Sequence, residues 1–187
     1  MATVTVRDSG QVLSDPAEIS GFLARCGIWY RKFEDVGRLP GEAASHEEIL
    51  AALHEPIEEL KAKGGYVTAD VIDVTATTPG LDAMLGRFNK EHWHDEDEVR
   101  FIVAGRGLFH IHPPEAPVFS IEVERGDMIL VPRGTHHWFD LCGDRRIRAI
   151  RLFQSTAGWT PNYTASRIDE GFQPVCLGYH DIPRRGL

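Results

Sequence analysis

Residues 86–105 read Gly86-x5-His92-Trp93-His94-x3-Glu98-x6-Gly105, and residues 126–137 read Gly126-x5-Pro132-x-Gly134-x2-His137. The first stretch supplies two imidazoles and a carboxylate; the second supplies a third imidazole. Side chains at i and i+2 leave a strand on the same face, so His92, His94 and Glu98 converge if the segment is extended with one turn in it. Three nitrogen donors and one oxygen donor make a site for a divalent first-row metal such as Fe, Ni, Mn or Zn. Four protein donors on a six-coordinate metal leave two positions open, and adjacent open positions suit a chelating substrate with vicinal oxygens, such as an enediol. An open edge marks a catalytic rather than a closed structural site. The chain therefore reads as a metalloenzyme.

A His-x-His pair alone is weak evidence, because imidazoles also sit satisfied in cores or exposed on surfaces. Four donors within two glycine-framed turns are harder to dismiss, and Pro132-x-Gly134 sets a turn that can aim His137 inward. His110 and His112 form a second His-x-His, but Pro113-Pro114 follows and no carboxylate stands at the matching distance, so they read as structural or surface residues. His136 and His137 are neighbours, and adjacent strand positions face opposite ways; the spacing from Gly134 favours His137. His46, His54 and His180 fall outside any ligand spacing, and Asp95-Glu96-Asp97 reads as a solvated turn. Ligation requires neutral imidazoles and an ionised carboxylate, so metal binding is expected to weaken in acid.

At 187 residues the chain is expected to be one domain, residues 1–187, large enough to bury a core. Its 42% hydrophobic and 26% charged content are ordinary for a globular protein. A net charge of −8 argues against nucleic acid or an anionic membrane surface as partner. The opening MATVTVRDSGQVLSD lacks the basic start and apolar run of a signal peptide, and no stretch nears the roughly 20 apolar residues of a membrane helix. Cys26, Cys142 and Cys176 are odd in number and widely spaced, so they read as inert or incidental thiols and the location as cytoplasmic.

Alternation in Ala2–Asp8 predicts a first strand. Ser14-Asp15-Pro16 opens a helix that Gly27 closes. Ser45-His46-Glu47-Glu48 is a capping box before Ile49, Leu50 and Leu53. Pro56 breaks that run, giving two short helices or a kinked one ending at Gly64-Gly65. Helical decoration is thus expected over about 14–64 and a β core over about 66–155. Its strands are Tyr66–Thr75, Glu98–Val103, Gly107–His112, Phe119–Glu124, Asp127–Pro132, His136–Leu141 and Ile147–Phe153. Gly105-Arg106-Gly107, Pro113-Pro114, Arg125-Gly126-Asp127 and Cys142-Gly143-Asp144 read as reversals. Short strands at such spacing make a β-sandwich or barrel, with the Pro- and Gly-bearing tail after Gly158 wrapping it.

The paired motifs resemble those of the cupin superfamily, whose fold is a double-stranded β-helix, a jelly-roll barrel. One departure is Leu141, where the second cupin motif often has Asn. Within the cupins the chain is most similar to the acireductone dioxygenase family. The residues that carry this are Phe88-Asn89-Lys90-Glu91-His92-Trp93-His94, Glu98-Val99-Arg100-Phe101, Val131-Pro132-Arg133-Gly134-Thr135-His136-His137-Trp138-Phe139-Asp140, Arg148-Ala149-Ile150-Arg151-Leu152-Phe153 and Gly158-Trp159. The likeness is strong over roughly residues 66–170 and looser in the helical part.

The resemblance implies an oxidoreductase of methionine salvage, a part of amino-acid biosynthesis, with one Fe(II) or Ni(II) per chain. Its substrates would be O2 and acireductone, 1,2-dihydroxy-3-keto-5-methylthiopentene, and the chain would act as a monomer. Iron would give 4-methylthio-2-oxobutanoate and formate; nickel would give 3-methylthiopropanoate, formate and carbon monoxide. Arg100 would favour the deprotonated enediolate as the catalytic cation, and it shares strand parity with the three donors before it; the bland alternative is a surface arginine on an edge strand. Arg151 either serves the site or belongs to an outward face, because an unpaired buried charge is costly. Phe88, Phe139 and Trp159 match the family's aromatic lining, though spacing alone makes them core aromatics. The competing expectations are another cupin oxygenase, a sugar isomerase, or a small-molecule-binding cupin module. A phosphosugar isomerase would want a cluster of lysines and arginines that the motif region lacks.

Overall fold

The computed structural model describes residues 2–156 and 159–172; Gly158, Cys176 and His180, singled out above, lie outside them. The N-terminal part forms β1 (Thr3–Val6), β2 (Gln11–Leu13), α1 (Pro16–Arg25), β3 (Trp29–Lys32), α2 (His46–Ala52) and α3 (His54–Gly64). There follow β4 (Thr68–Val74), α4 (Leu81–Phe88), β5 (His92–Trp93), β6 (Glu98–His112), β7 (Phe119–Glu124), β8 (Asp127–Val131), β9 (His136–Leu141), β10 (Ile147–Phe153) and β11 (Asn162–Tyr163).

Local chemistry accounts for the helices. The Asp15 carboxylate accepts from the backbone N–H groups of Ala17 and Glu18 at 2.9 and 3.0 Å, with Pro16 at the first helical position. Ser45 and Glu48 form the reciprocal capping box on α2. The apolar run splits into two helices because Pro56 falls in the first turn of α3, where its missing N–H leaves nothing unpaired. Gly65 closes α3 with φ 67°.

All the ladders are antiparallel and β6 belongs to two sheets. Its first half pairs β8 and β10, with β3 beyond β8 and β4 beyond β10. Its second half pairs β7 and β9, with β1 and β2 beyond β7, and β5 and β11 beyond β9. Ile102, Phe109, Ile111, Ile121 and Ile129 fill the space between the sheets, while Val99, Phe101, Ile150 and Leu152 on the opposite face of the first sheet meet Ile49, Leu53, Ile57 and Leu60 of α2 and α3. The mainly β double-stranded helix with N-terminal helices is therefore present. Among the described residues its ladders leave the sheet open, ending at β2 and β11.

Four details differ from the sequence reading. Gly105-Arg106-Gly107 does not reverse the chain: β6 runs through it as one 15-residue strand, bent by Gly105 at φ +69° beside a register shift at Arg148/Ala149. The segment expected to be helical contains β3, and α4 stands among the strands. Cys142 is disulfide-bonded, not an incidental thiol; Cys26 is free, and burial pushes its thiol up. No helix among the described residues is long and apolar enough to cross a membrane.

A Cβ on residue 105 would stand 2.2 Å from the Arg146 carbonyl oxygen in a backbone conformation that L side chains avoid. Gly105→Ala is therefore expected to destabilise the protein by more than the 1–2 kcal/mol or so of the left-handed conformation alone. Urea denaturation checks this; a shift below about 1 kcal/mol would mean the bend relaxes freely.

Candidate metal centre

His92 lies on β5, His94 just after it, Glu98 opens β6, and His137 sits on β9 directly opposite His92 in the ladder. The four side chains are buried and their donor atoms all lie within 4.8 Å of one another. Each imidazole is held through Nδ1 by a main-chain carbonyl: His92 by Lys90 at 2.7 Å, His94 by Thr160 at 3.0 Å, His137 by Thr135 at 2.8 Å. An Nδ1–H donated to a carbonyl leaves the Nε2 lone pair facing inward, the tautomer a metal needs.

Glu98 Oε2 is 3.1 Å from Nε2 of both His94 and His137, and Oε1 is 3.0 Å from the Arg100 guanidinium. His92 Nε2 is buried without a hydrogen-bond partner, and His94 Nε2 faces only the Glu98 carboxylate. Burial raises the Glu98 pKa, but Arg100 and the two imidazoles outweigh it and hold the carboxyl well below its usual range. Burial, then His137, brings His92 down to about 4, so this ring is neutral near pH 7. For His94, burial opposes the charged ring, yet Glu98 and the Thr160 carbonyl overcome it and raise the pKa. Inward nitrogens around an ionised carboxylate fit a divalent cation of the borderline class.

His92, Glu98 and His137 open onto a cleft. Asp70, Arg151 and Arg100 stand in one cross-strand row over β4, β10 and β6. Asp70 grips Arg151 through two hydrogen bonds, of 2.7 and 2.5 Å. Glu98 thus faces Arg100 and Asp70 faces Arg151, so two cations share one wall without bare repulsion. Burial, opposed by Glu98, brings the Arg100 pKa down to about 10, still charged at neutral pH, and its Nη1 is buried without a partner. Phe88 and Phe139 line the cleft; Phe139 stacks edge-on against Phe109, with ring centres 5.0 Å apart, in space that only a glycine at 107 leaves.

Trp159 reaches the site beside His94 and Arg100. Its ring stacks on His94 at 6.0 Å, carries the Arg100 guanidinium at 4.2 Å, and donates its N–H to the Asp97 carbonyl at 3.1 Å.

Comparison with known proteins decides the family. The model of the ARD/ARD' family matches residues 38–161. An acireductone dioxygenase of Picosynechococcus is 42% identical over 95% of this chain and 100% of its own length. One from Exiguobacterium sibiricum is 40% identical over 90% of this chain and 98% of its own. The chain belongs to the acireductone dioxygenase family. It is accordingly an enzyme of a metal-dependent family. The solved acireductone dioxygenase from Bacillus anthracis, with a cadmium ion in its active centre, superposes with a TM-score of 0.82 at 37% identity, covering 87% of this chain and 98% of that one.

Several features of this acireductone dioxygenase family member escaped the sequence reading. The apolar end of the cleft is built by Ile72, Val74, Met84, Leu85, Leu141 and Ile147. The signal for α4 was present, since Leu81, Met84, Leu85 and Phe88 recur at helical spacing. Leu141 continues that apolar wall, which gives a physical reason for an aliphatic residue where other cupins often have Asn. The acidic turn is more than solvated charge. Asp97 accepts from the Arg133 N–H at 3.0 Å and the Tyr66 hydroxyl at 3.3 Å, and Glu96 accepts from the N–H groups of Gln154 and Ser155. His110 is buried rather than exposed, stacked on Trp138 at 5.0 Å and paired through Nδ1 with the Ser120 hydroxyl. His112 and His136 lie on the face opposite the cleft.

Proposed function

We propose that the chain cleaves acireductone with O2 as a cytoplasmic, monomeric enzyme of methionine salvage, with His92, His94, Glu98 and His137 holding one Fe(II) or Ni(II). Iron would direct the reaction to 4-methylthio-2-oxobutanoate and formate, and nickel to 3-methylthiopropanoate, formate and carbon monoxide. The observation that carries this reading is the conjunction of inward-facing imidazole nitrogens around Glu98 with a buried guanidinium in the lining of the same largely apolar cleft.

A metal ion held by these four side chains would supply Lewis acidity toward the enediolate. The protein's own residues do the rest. Arg100, already turned toward Glu98, offers its unpartnered Nη1 to an enediolate oxygen and favours the ionised, electron-rich substrate. Arg151, fixed by Asp70, adds positive potential on the same wall. Phe88 and Phe139 exclude water, and the aliphatic end beyond them takes the methylthio tail.

Leu141→Asn is expected to put an amide without partners into that aliphatic wall. It should cost about 1–3 kcal/mol of stability and raise KM for the methylthio substrate more than it lowers kcat. Steady-state kinetics on acireductones with and without the thioether tail check this; an equal KM change for both would separate Leu141 from tail binding.

The function itself is tested by rebuilding metal-free protein anaerobically with Fe(II) or Ni(II), then adding acireductone and O2. Loss of the enediolate absorbance with formate and keto acid, or with carbon monoxide for nickel, is the expected outcome. Tight metal uptake without O2 consumption would overturn the substrate assignment.

A further inference from the structure

On the face of the sheet turned away from the cleft, a second group of donors converges. His112 on β6 and His136 on β9 are direct cross-strand partners, with ring centres 6.1 Å apart. Glu91, the residue before β5, brings a carboxylate between them. Its Oε1 lies 2.5 Å from His112 Nδ1 and 3.8 Å from His136 Nδ1. The three donor atoms fall within 4.8 Å of one another.

Three observations separate this group from an ordinary surface ion pair. Glu91 is 1% exposed, and a carboxylate is rarely buried unless something holds it there. Its other oxygen, Oε2, accepts from the hydroxyls of Thr164 and Ser166, and its main-chain carbonyl accepts from the Thr164 N–H at 3.1 Å. The carboxylate is thus fixed from behind with Oε1 pointing at the two imidazoles, the arrangement that outer partners impose on a ligating carboxylate. The imidazole side chains, by contrast, are 32% and 43% exposed, so a cation has an entry path and water can complete its coordination.

We propose that Glu91, His112 and His136 form a second cation site, selective for a borderline divalent ion of the zinc, nickel or copper class. Two imidazole nitrogens and one carboxylate oxygen disfavour Ca2+ and Mg2+, which take oxygen donors. Because strand residues alternate faces, the outer donors Glu91 and His136 directly precede the inner His92 and His137. A cation outside therefore braces the two strands that carry those inner donors. The site is independent of which substrate the cleft takes.

The test uses protein whose inner site is filled with Ni(II), titrated with Zn(II) and followed by metal analysis after gel filtration. One further equivalent of zinc per chain is expected. His112→Ala/His136→Ala should lose that equivalent while keeping inner nickel and basal turnover. The exposed His136→Asn serves as a milder variant should the double one fold poorly. Conversely, His92→Ala/His94→Ala should still bind zinc outside. With Cu(II) as probe, electron paramagnetic resonance should show two coupled nitrogens, reduced to one in His136→Asn. No further equivalent in the parent protein, or one that survives both outer-site variants unchanged, would overturn the proposal.

Discussion

Replacing His137 with alanine is expected to remove tightly held metal and essentially all turnover. The loss should exceed the roughly 10–100-fold typical of residues that only orient a ligand. His137 supplies one of three inward Nε2 atoms and one of the two imidazoles 3.1 Å from Glu98 Oε2. Its removal leaves three donors and an emptier wall. The fold should persist, because the main chain of β9 keeps its ladder to β6 whatever the side chain at 137. Metal content and circular dichroism on the same sample separate these effects. Stoichiometric inner metal in a His94→Ala/His137→Ala protein would remove the site; loss of inner metal from His136→Ala would show that the two faces had been read the wrong way round.

Arg100→Ala should act differently, retaining metal while turnover falls by about 10²–10³, the scale of removing one preorganised donor from a developing anion. Lysine should not restore the rate. The guanidinium reaches Glu98 with Nη2, lies over Trp159, and keeps Nη1 for the substrate, three tasks that one ammonium point charge cannot combine. In metal-free protein the same change leaves Glu98 buried beside fewer positive groups, a cost of about 3–5 kcal/mol for a broken buried pair. Bound metal should relieve most of that, so the two forms of the variant should differ more in Tm than the two forms of the parent. Unchanged turnover, or equal Tm differences, would return Arg100 to a packing role.

His92, His94 and Glu98 were legible because they lie close in sequence and share strand parity, whereas His137, 39 positions beyond Glu98, was legible only through the Pro132-x-Gly134 turn before it. Turn chemistry likewise located β7, β8, β9 and β10. What escaped the sequence depended on register between distant segments. Asp70 grips Arg151 from 81 positions away, and no local pattern announces that pair. The continuity of β6 was hidden because both of its faces are covered, which erases the alternation that marks a half-buried strand, and because Gly105 imitates a turn while making a bend. Trp159 was placed near the site by the family resemblance and not by spacing; its contacts are with His94 and Arg100.

The anchoring of all three imidazoles on main-chain carbonyls bears on how this site tolerates change over time. A carbonyl at position 90, 135 or 160 survives replacement of the side chain it belongs to. Ring orientation, and with it the choice of tautomer, is therefore insulated from drift at Lys90, Thr135 and Thr160. Variation at these positions in related chains says little about whether the centre is intact, whereas an insertion or deletion that shifts their peptide groups would rotate a ring without altering any ligand's identity.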